Sequence, residues 1–505
     1  LSRHLPDPRT GVKMHRSRPN SCFKTVTGLT RIVSVTFNPD LNAFGFRYPE
    51  DRKDGPHRMK PGNDQSLGLS WTQITERELR GVLASHALFL ARKPGGQRAQ
   101  LAFYDLSGFD LADQDLSEAE LTGVRLRRAK LQGAQFRAAN LFGADLRKAD
   151  LRHADMTRAD LRGTSLRGAN ISDSVLVDAD IREAQLARNG ADGELHAVSF
   201  DQLPAELSAL IAHRADLSYA RMSNAFTVRS DFTDARLDNV NLRQADLRSA
   251  IFVGATLSGA DLCHANLSNT TMTGAVLSGI KLTGARFQEA DLRGCILDDD
   301  LMKKPELLDA VLPRFRSELR AQLGDILAAH KRWVDTNSLE GTRADLSDTD
   351  LSDLHRPGVA LSAALFERAR LCRVDFTRGE LAMAQMAFAD LRGAVLSQCD
   401  LRGANLSRAV VTGADLSGAN LGPLTSARRE EARWIADLEA AKLNDCDLSE
   451  ANLHSANLAG ADLRDCDLTG ADLREADLRD ADLDRTNLSR AQLDGAQRGP
   501  RREDV

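Results

Sequence analysis

Aspartate is the residue with chemical potential that recurs most visibly in this chain. With asparagine, it stands again and again just before a leucine-type residue, as in Asp145-Leu146, Asp150-Leu151 and Asp462-Leu463. Paired carboxylates can act as general acid and base, but a catalytic pair needs a cleft that sets it apart. Here the recurring aspartates occupy the same slot before a centre, which points to a structural duty. Cys446 and Cys466 lie twenty residues apart. They could form a redox pair, but as buried alanine-like fillers they would be inert, and this is the stronger reading. His86, His213 and His330 each follow a leucine by three residues. No Cys, Asp or Glu recurs beside them at ligand spacing, so they are read as hydrogen-bonded structural histidines rather than metal ligands. The chain has no Ser-His-Asp arrangement, P-loop, dinucleotide fingerprint or metal-spaced Cys/His set. The expectation is a protein that is not an enzyme and carries no cofactor.

The elements that position these residues follow a period of five. Words such as Ala144-Asp145-Leu146-Arg147-Lys148 and Ala149-Asp150-Leu151-Arg152-His153 run on from residue 101. The leucine-type centres end in 1 or 6 from Leu101 to Leu186, in 2 or 7 from Leu217 to Leu297, in 1 or 6 from Leu346 to Leu421, and in 3 or 8 from Leu443 to Leu493. About sixty words thus fall into four blocks, and the phase slips at each insertion. Five matches neither the strand period of 2 nor the helix period of 3.6. A chain that turns a corner every five residues brings the centre and the small residue two places earlier inward, with the rest outward. Four corners close a coil of about twenty residues, and coils stacked about 4.8 Å apart pair their backbones.

Words of the form Ala-(Asp/Asn)-Leu-X-X in this number resemble the pentapeptide-repeat family, over about three fifths of the chain. The resemblance implies an all-β solenoid, a right-handed quadrilateral β-helix in four blocks, here interrupted and capped by short α-helices. It says little about function, because the consensus words build the scaffold in every member. Some members inhibit DNA gyrase as DNA mimics and underlie a type of quinolone resistance.

Within this frame the expected organisation is a basic arm at 1–60, disordered or not native to the protein, then a capping helix within 61–97. Repeat blocks follow at 98–190, 214–298, 343–422 and 442–497. Helical insertions are expected at 191–213, 299–342 and 423–441, and a disordered tail at 498–505. Thr75-Glu76-Arg77-Glu78 is a capping-box pattern, and Leu79, Val82, Leu83, His86 and Leu90 form its helix stripe. Leu327-Ala328-Ala329-His330 repeats Leu83-Ala84-Ser85-His86, and both segments run on to Gly-X-Arg-Ala-X-Leu, an internal duplication of a helix-plus-coil module. The helices would cover open coil ends, with His86, His213 and His330 beside the caps. Trp333 and Phe315 are candidate partner contacts on the helices. Polar centres at Thr227 and Arg356 should mark defects, Arg356 by looping out. Cys263 and Cys372, just after a centre, should face solvent.

Charge bounds the partners. The net charge is −5 with 28% charged residues, which excludes a surface that binds nucleic acid by overall positive charge; no direct nucleic acid is expected. No apolar run approaches the roughly 20 residues needed to span a bilayer, and no secretory h-region is present. Seven cysteines lack paired spacing, so a reducing cytoplasm and no membrane are expected. Residues 1–60 carry twelve Lys/Arg against five Asp/Glu, and residues 441–497 carry six against thirteen. The leading expectation is a scaffold for an unnamed protein partner. The alternative is a DNA mimic acting on gyrase through the last block, where Asp462 and Asp482 stack and Asp472 lies opposite. Homodimerisation could run through the last coil near Leu493.

Overall fold

The computed structural model describes residues 32–35, 71–189, 195–198, 207–298, 300–313, 315–426 and 429–498. Each five-residue word forms one side of a coil. Its centre is buried, as at Leu106, Leu126, Leu146 and Leu166, and so is the small residue two places earlier, as at Val124, Ala144 and Thr164. The residue between them bridges in parallel to its counterpart twenty places on, through Asp105↔Arg125↔Asp145↔Ser165 and likewise on the other three sides. The centre N–H donates to a carbonyl nineteen residues ahead, as from Leu106 to Arg125 (2.7 Å) and from Leu126 to Asp145 (2.8 Å). The Asp or Asn slot is now explained: its side-chain oxygen accepts the N–H two residues later and ties the corner, as at Ser107 on Asp105 and Thr157 on Asp155. The second corner residue is left-handed whatever its type, at Arg128 (φ 55°), Lys148 (φ 58°) and Gly163 (φ 67°).

The four blocks make two stacks. The ladder crosses the first insertion through Asn170↔Ile211, Val175↔Asp216 and Asp180↔Arg221, and the third through Asn405↔Asp437 and Val410↔Lys442. Both insertions therefore leave the coil at one corner and re-enter at the next rung. No bridge joins the second block to the third among the described residues, and two separate cores result, one from Leu79 to Leu307 and one from Leu323 to Leu478. Phe232 and Phe252, centres one coil apart, stack at 5.1 Å inside the first.

Several expectations need correction. The segment at 423–441 is an antiparallel hairpin of Leu424–Ser426 and Arg429–Trp434 rather than a helix. Residues 207–213 already belong to the coil, and the described part of the preceding insertion is strand, not helix. There Ile32–Val35 (β1), Gln185–Asn189 (β2) and Leu195–Val198 (β3) form an antiparallel sheet in the order β1-β2-β3, within a unit of 1–70 and 184–199. Part of the expected arm is thus a strand; the rest of 1–60, and 499–505, lie outside the described residues. Thr227 makes no defect, because its buried hydroxyl donates to the Asp246 carbonyl at 3.2 Å. Arg356 does not loop out: its N–H keeps its rung to Asp375 at 2.8 Å while the side chain stays exposed. Cys263 and Cys372 are buried, since a side chain that short is covered by the neighbouring rung.

Helix α1 (Glu76–Leu90) starts on the expected capping box, with Thr75 and Glu78 bonded reciprocally. It buries Leu79 in the first core, and Ile74, Val82 and Leu83 pack against that core. Helices α2 (Ser317–Ala321) and α3 (Leu323–Asp335) precede the second arm, and α3 places Leu323, Ile326 and Leu327 on its core. The duplicated histidines have one job in both modules. His86 Nδ1 accepts the Ala99 N–H at 3.1 Å, and His330 Nδ1 accepts the Ala344 N–H at 3.0 Å. Each latches its helix to the first rung of the coil. His213 has no such role: it sits in a coil word and pairs with Asp231 at 2.9 Å.

The arms lie side by side and antiparallel, corner to corner. Gly294, Gly274 and Gly254 of the first arm meet Arg368, Phe388 and Arg408 of the second. A Cβ on Gly274 would stand 2.5 Å from the Phe388 ring. Many corners hold non-glycine residues at the same positive φ, so this glycine answers to the neighbouring arm as well as to the turn.

Two predictions follow from these contacts. Gly274→Ala should destabilise by about 1–3 kcal/mol more than Gly413→Ala in chemical denaturation. Gly413 shares the left-handed turn (φ 68°) but has open space around its Cβ; equal losses would mean that the arms do not pack. The second concerns the latches. Burial holds both histidines below their ordinary pKa, partly offset by the Ser117 and Ser362 carbonyls respectively. A base depressed on folding contributes stability above its unfolded pKa of about 6.5, and loses it as pH falls toward the folded value. The melting temperature should therefore drop between pH 7 and pH 5. His86→Asn/His330→Asn, which keeps an acceptor and removes the titration, should flatten that drop; an unchanged slope would refute the latch.

Candidate interaction surfaces

The carboxylates sort by the residue two places on. In Asp-Leu-Arg words the guanidinium folds back on its own aspartate, as Arg402 on Asp400, Arg474 on Asp472 and Arg479 on Asp477. In Asp-Leu-Ser/Thr words a hydroxyl takes that place, as Ser417 on Asp415 and Thr469 on Asp467. The first kind presents an almost neutral surface, and the second keeps its charge unless an arginine of another word reaches it, as Arg236 reaches Asp216 and Arg316 reaches Asp345.

This rule relocates the acidic face. Asp462 and Asp482 do stack, as one bridged pair. They face the first arm, however, and are neutralised there. Arg464 holds Asp462 at 2.5 Å and reaches Asp482 at 3.5 Å, and Arg236 of the first arm lies 3.7 Å from Asp482. Burial raises the Asp462 pKa, but Arg464 outweighs it and holds the carboxyl below its ordinary value. Asp472 lies on the opposite side under Arg474. These three aspartates therefore do not form a shared free surface.

Beside them, Arg408 reaches across from the second arm to Asp234 of the first, Nη1 to Oδ1 at 2.7 Å. Burial pushes Asp234 up against the pull of Arg408, Lys442 and Arg214. It pulls Lys442 down against Asp234, Asp462 and Asp238. The cluster is a charged clasp between the arms.

The uncompensated row is Asp415, Asp447 and Asp467, successive rungs of one face of the second arm. None of them has a cationic partner within 4 Å among the described residues. Asp467 is held below its ordinary pKa by Thr469 and Asn487 rather than by a cation. These three aspartates are not among the residues that the word pattern singles out. The signal was present, in Ser417, Ser449 and Thr469 standing where arginine stands in the neutral words.

The two aromatic candidates are half-buried. Trp333 stacks on the latch residue His330 at 5.6 Å. Phe315 lines a cleft with Met302, Pro313, Arg368 and Phe388, where the first arm ends and the second begins. The two do not come together as a surface. Cys446 and Cys466 occupy successive rungs, and their thiols donate to the Val411 and Leu443 carbonyls. Burial raises Cys399 and Cys372 to about 11, which suits packing better than nucleophilic attack. Among the described residues, no group of three or more His, Cys, Asp or Glu could hold a metal ion, and no helix is long and apolar enough to cross a membrane.

If the clasp joins the arms, a double-mutant cycle of Asp234→Ala and Arg408→Ala should show coupling of about 0.5–3 kcal/mol. The two residues are 174 positions apart; coupling within error of zero would refute the contact.

Comparison with known proteins agrees with the word pattern. The family model of pentapeptide repeats (eight copies) matches residues 97–188, 228–262, 264–299, 384–422 and 436–497 in overlapping segments. Similar solved structures include a pentapeptide repeat protein from the thylakoid lumen of Arabidopsis thaliana, 36% identical, covering 16% of this chain and 58% of that one (TM-score 0.16). HetL, a pentapeptide repeat protein involved in heterocyst differentiation regulation from the cyanobacterium Nostoc sp. strain PCC 7120, is 22% identical over 68% of this chain and 89% of its own (TM-score 0.16). QnrB1, a plasmid-mediated fluoroquinolone resistance protein, is 17% identical over 45% and 98% (TM-score 0.18). No curated protein matches the chain.

Proposed function

This chain belongs to the pentapeptide-repeat family, whose members form right-handed β-helices and are generally structural or interaction proteins, and we propose that it is a non-enzymatic scaffold for a protein partner. On this reading it is a right-handed quadrilateral β-helix folded into two capped arms. The observation that carries the reading is the row Asp415, Asp447 and Asp467. A rigid row of charges at the coil rise of about 4.8 Å offers a basic partner a fixed register. The six described cysteines are all unpaired, which supports a cytoplasmic setting. The half-buried centres Leu483, Leu488 and Leu493 in the last coil support a homodimer through that end.

The same row supports a second reading, a DNA mimic acting on DNA gyrase or another topoisomerase. It would act through these three aspartates and not through Asp462, Asp472 and Asp482, whose charges arginine cancels.

The test is affinity capture from a bacterial lysate, with the full chain and its Asp415→Asn/Asp447→Asn/Asp467→Asn variant as baits. Asparagine ties the same corner in natural words, as Asn405 does to Ser407, so the variant should fold. A stoichiometric protein captured only by the unaltered chain is expected. A topoisomerase in that fraction, with loss of supercoiling activity, would favour the mimic. Identical captures by both baits would overturn the acidic row as the site.

A further inference from the structure

One corner of the first arm carries cations on five of six successive rungs. Its successive rungs are Arg127-Arg128, Arg147-Lys148, Arg167-Gly168, Ser208-Ala209, Val228-Arg229 and Arg248-Ser249. Their order in space is given by backbone hydrogen bonds from Arg128 to Arg147, Lys148 to Arg167, Gly168 to Ser208, Ala209 to Val228 and Arg229 to Arg248, each 3.0–3.1 Å. Seven cations thus follow one straight corner over five coil steps, about 24 Å. No Asp or Glu occupies this corner from Ser107 to Asn269. Other corners of this arm include acids, with Asp113, Asp173 and Asp234 on one and Glu118 and Asp178 on another.

Among the described residues, Asp145 and Asp246 reach the cationic corner from the adjoining side. Asp145 is fully buried beneath Arg127 and Arg147, and Asp246 is held by Arg248. Arg128, Lys148 and Arg229 occupy the outermost, left-handed positions and are exposed, with no acidic partner within 4 Å among the described residues. On the adjoining face Asp150 is held by Arg152 and Asp231 by His213.

We propose that this corner is a binding ridge for a phosphodiester backbone, separate from the acidic row of the second arm. A straight run of guanidinium and ammonium groups is what phosphate contacts require, and such contacts position a nucleic acid without reading its bases. The corner offers no aromatic side chain, and protein interfaces draw most of their affinity from such anchors. The overall charge of −5 conceals the ridge, because the opposite charges lie on other corners.

The test uses the full chain and two fluorescein-labelled probes of mixed sequence, a 20-nucleotide single strand and the corresponding duplex, followed by anisotropy from 50 to 200 mM salt. The ridge variant is Arg128→Glu/Lys148→Glu/Arg229→Glu. Glutamate is compatible with these turns, since Glu118, Glu289, Glu450 and Glu475 hold the same left-handed position elsewhere. The control, Arg77→Glu/Lys303→Glu/Arg490→Glu, changes the net charge equally at exposed sites away from the ridge. The expected result is binding of at least one probe, weakened tenfold or more in the ridge variant and less than threefold in the control. The log–log salt slope should shrink by about 2–3 in the ridge variant. Which probe binds more tightly tells a single strand from a duplex. No binding at 50 mM salt, or an equal loss in the control, would overturn the ridge. Tighter binding of a poly-glutamate of equal charge would overturn it in favour of an acidic protein.

Discussion

The structure depends on one hydrogen bond, repeated along both arms: the N–H of a word centre donating to the carbonyl nineteen residues ahead. It holds the coil at twenty residues and the apolar centres inside. It belongs to the backbone, so the ladder survives centres that are not apolar. Thr227 keeps its rung and satisfies its hydroxyl within it; Arg356 keeps its rung and turns outward. The same logic admits the insertions. A segment that leaves at a corner and returns to the next rung changes the sequence distance across a bridge from twenty to forty-one or thirty-two, as at Asn170↔Ile211 and Asn405↔Asp437, and leaves the bridge itself intact.

Once the ladder sets the geometry, the outward positions are free to carry charge, and each aspartate has two duties. Its oxygen ties the corner, a local contact that Asp or Asn supplies equally. Its charge is then cancelled or retained by the residue two places on. Asp-Leu-Arg repeated over a rung gives a bland surface, and Asp-Leu-Ser/Thr gives a charged one where no arginine of another word reaches it, as one does at Asp216 and Asp345. Counting acids and bases over a block blurs this difference. Residues 441–497 have an acidic excess, yet two of the aspartates that stand out there, Asp462 and Asp482, belong to the clasp against the first arm.

Part of the site was legible in the word pattern and part was not. The stacking of Asp462 on Asp482, the opposite placement of Asp472, the capping box at Thr75 and the equivalence of His86 with His330 all follow from spacings of twenty, three and the duplicated module. His213 misled because Leu-X-X-His resembles the end of a cap helix, while the words around it continue the coil. The segment at 426–440 misled for a related reason: its Glu, Ala and Arg residues favour helix, but the chain there must reverse between adjacent rungs, and a hairpin does so within few residues. Local propensity yields to closure where the two ends are pinned a few ångströms apart.

By itself, then, the sequence determined the coil, its core and the corner ties, because each rests on contacts within a word or between rungs twenty residues apart. The tertiary structure alone decided that the blocks join into two arms, that these run antiparallel, and which outward residues remain available. Those outcomes depend on Gly274 receiving Phe388 and Asp234 receiving Arg408, pairs more than one hundred residues apart with no periodic relation. They also depend on how far each insertion advances the register, which brings Arg167 beside Ser208 and so places Arg229 and Arg248 on the corner of Arg128 and Lys148. A repeat specifies its own rung and the next one; where two stacks meet is set by side chains that the repeat leaves variable.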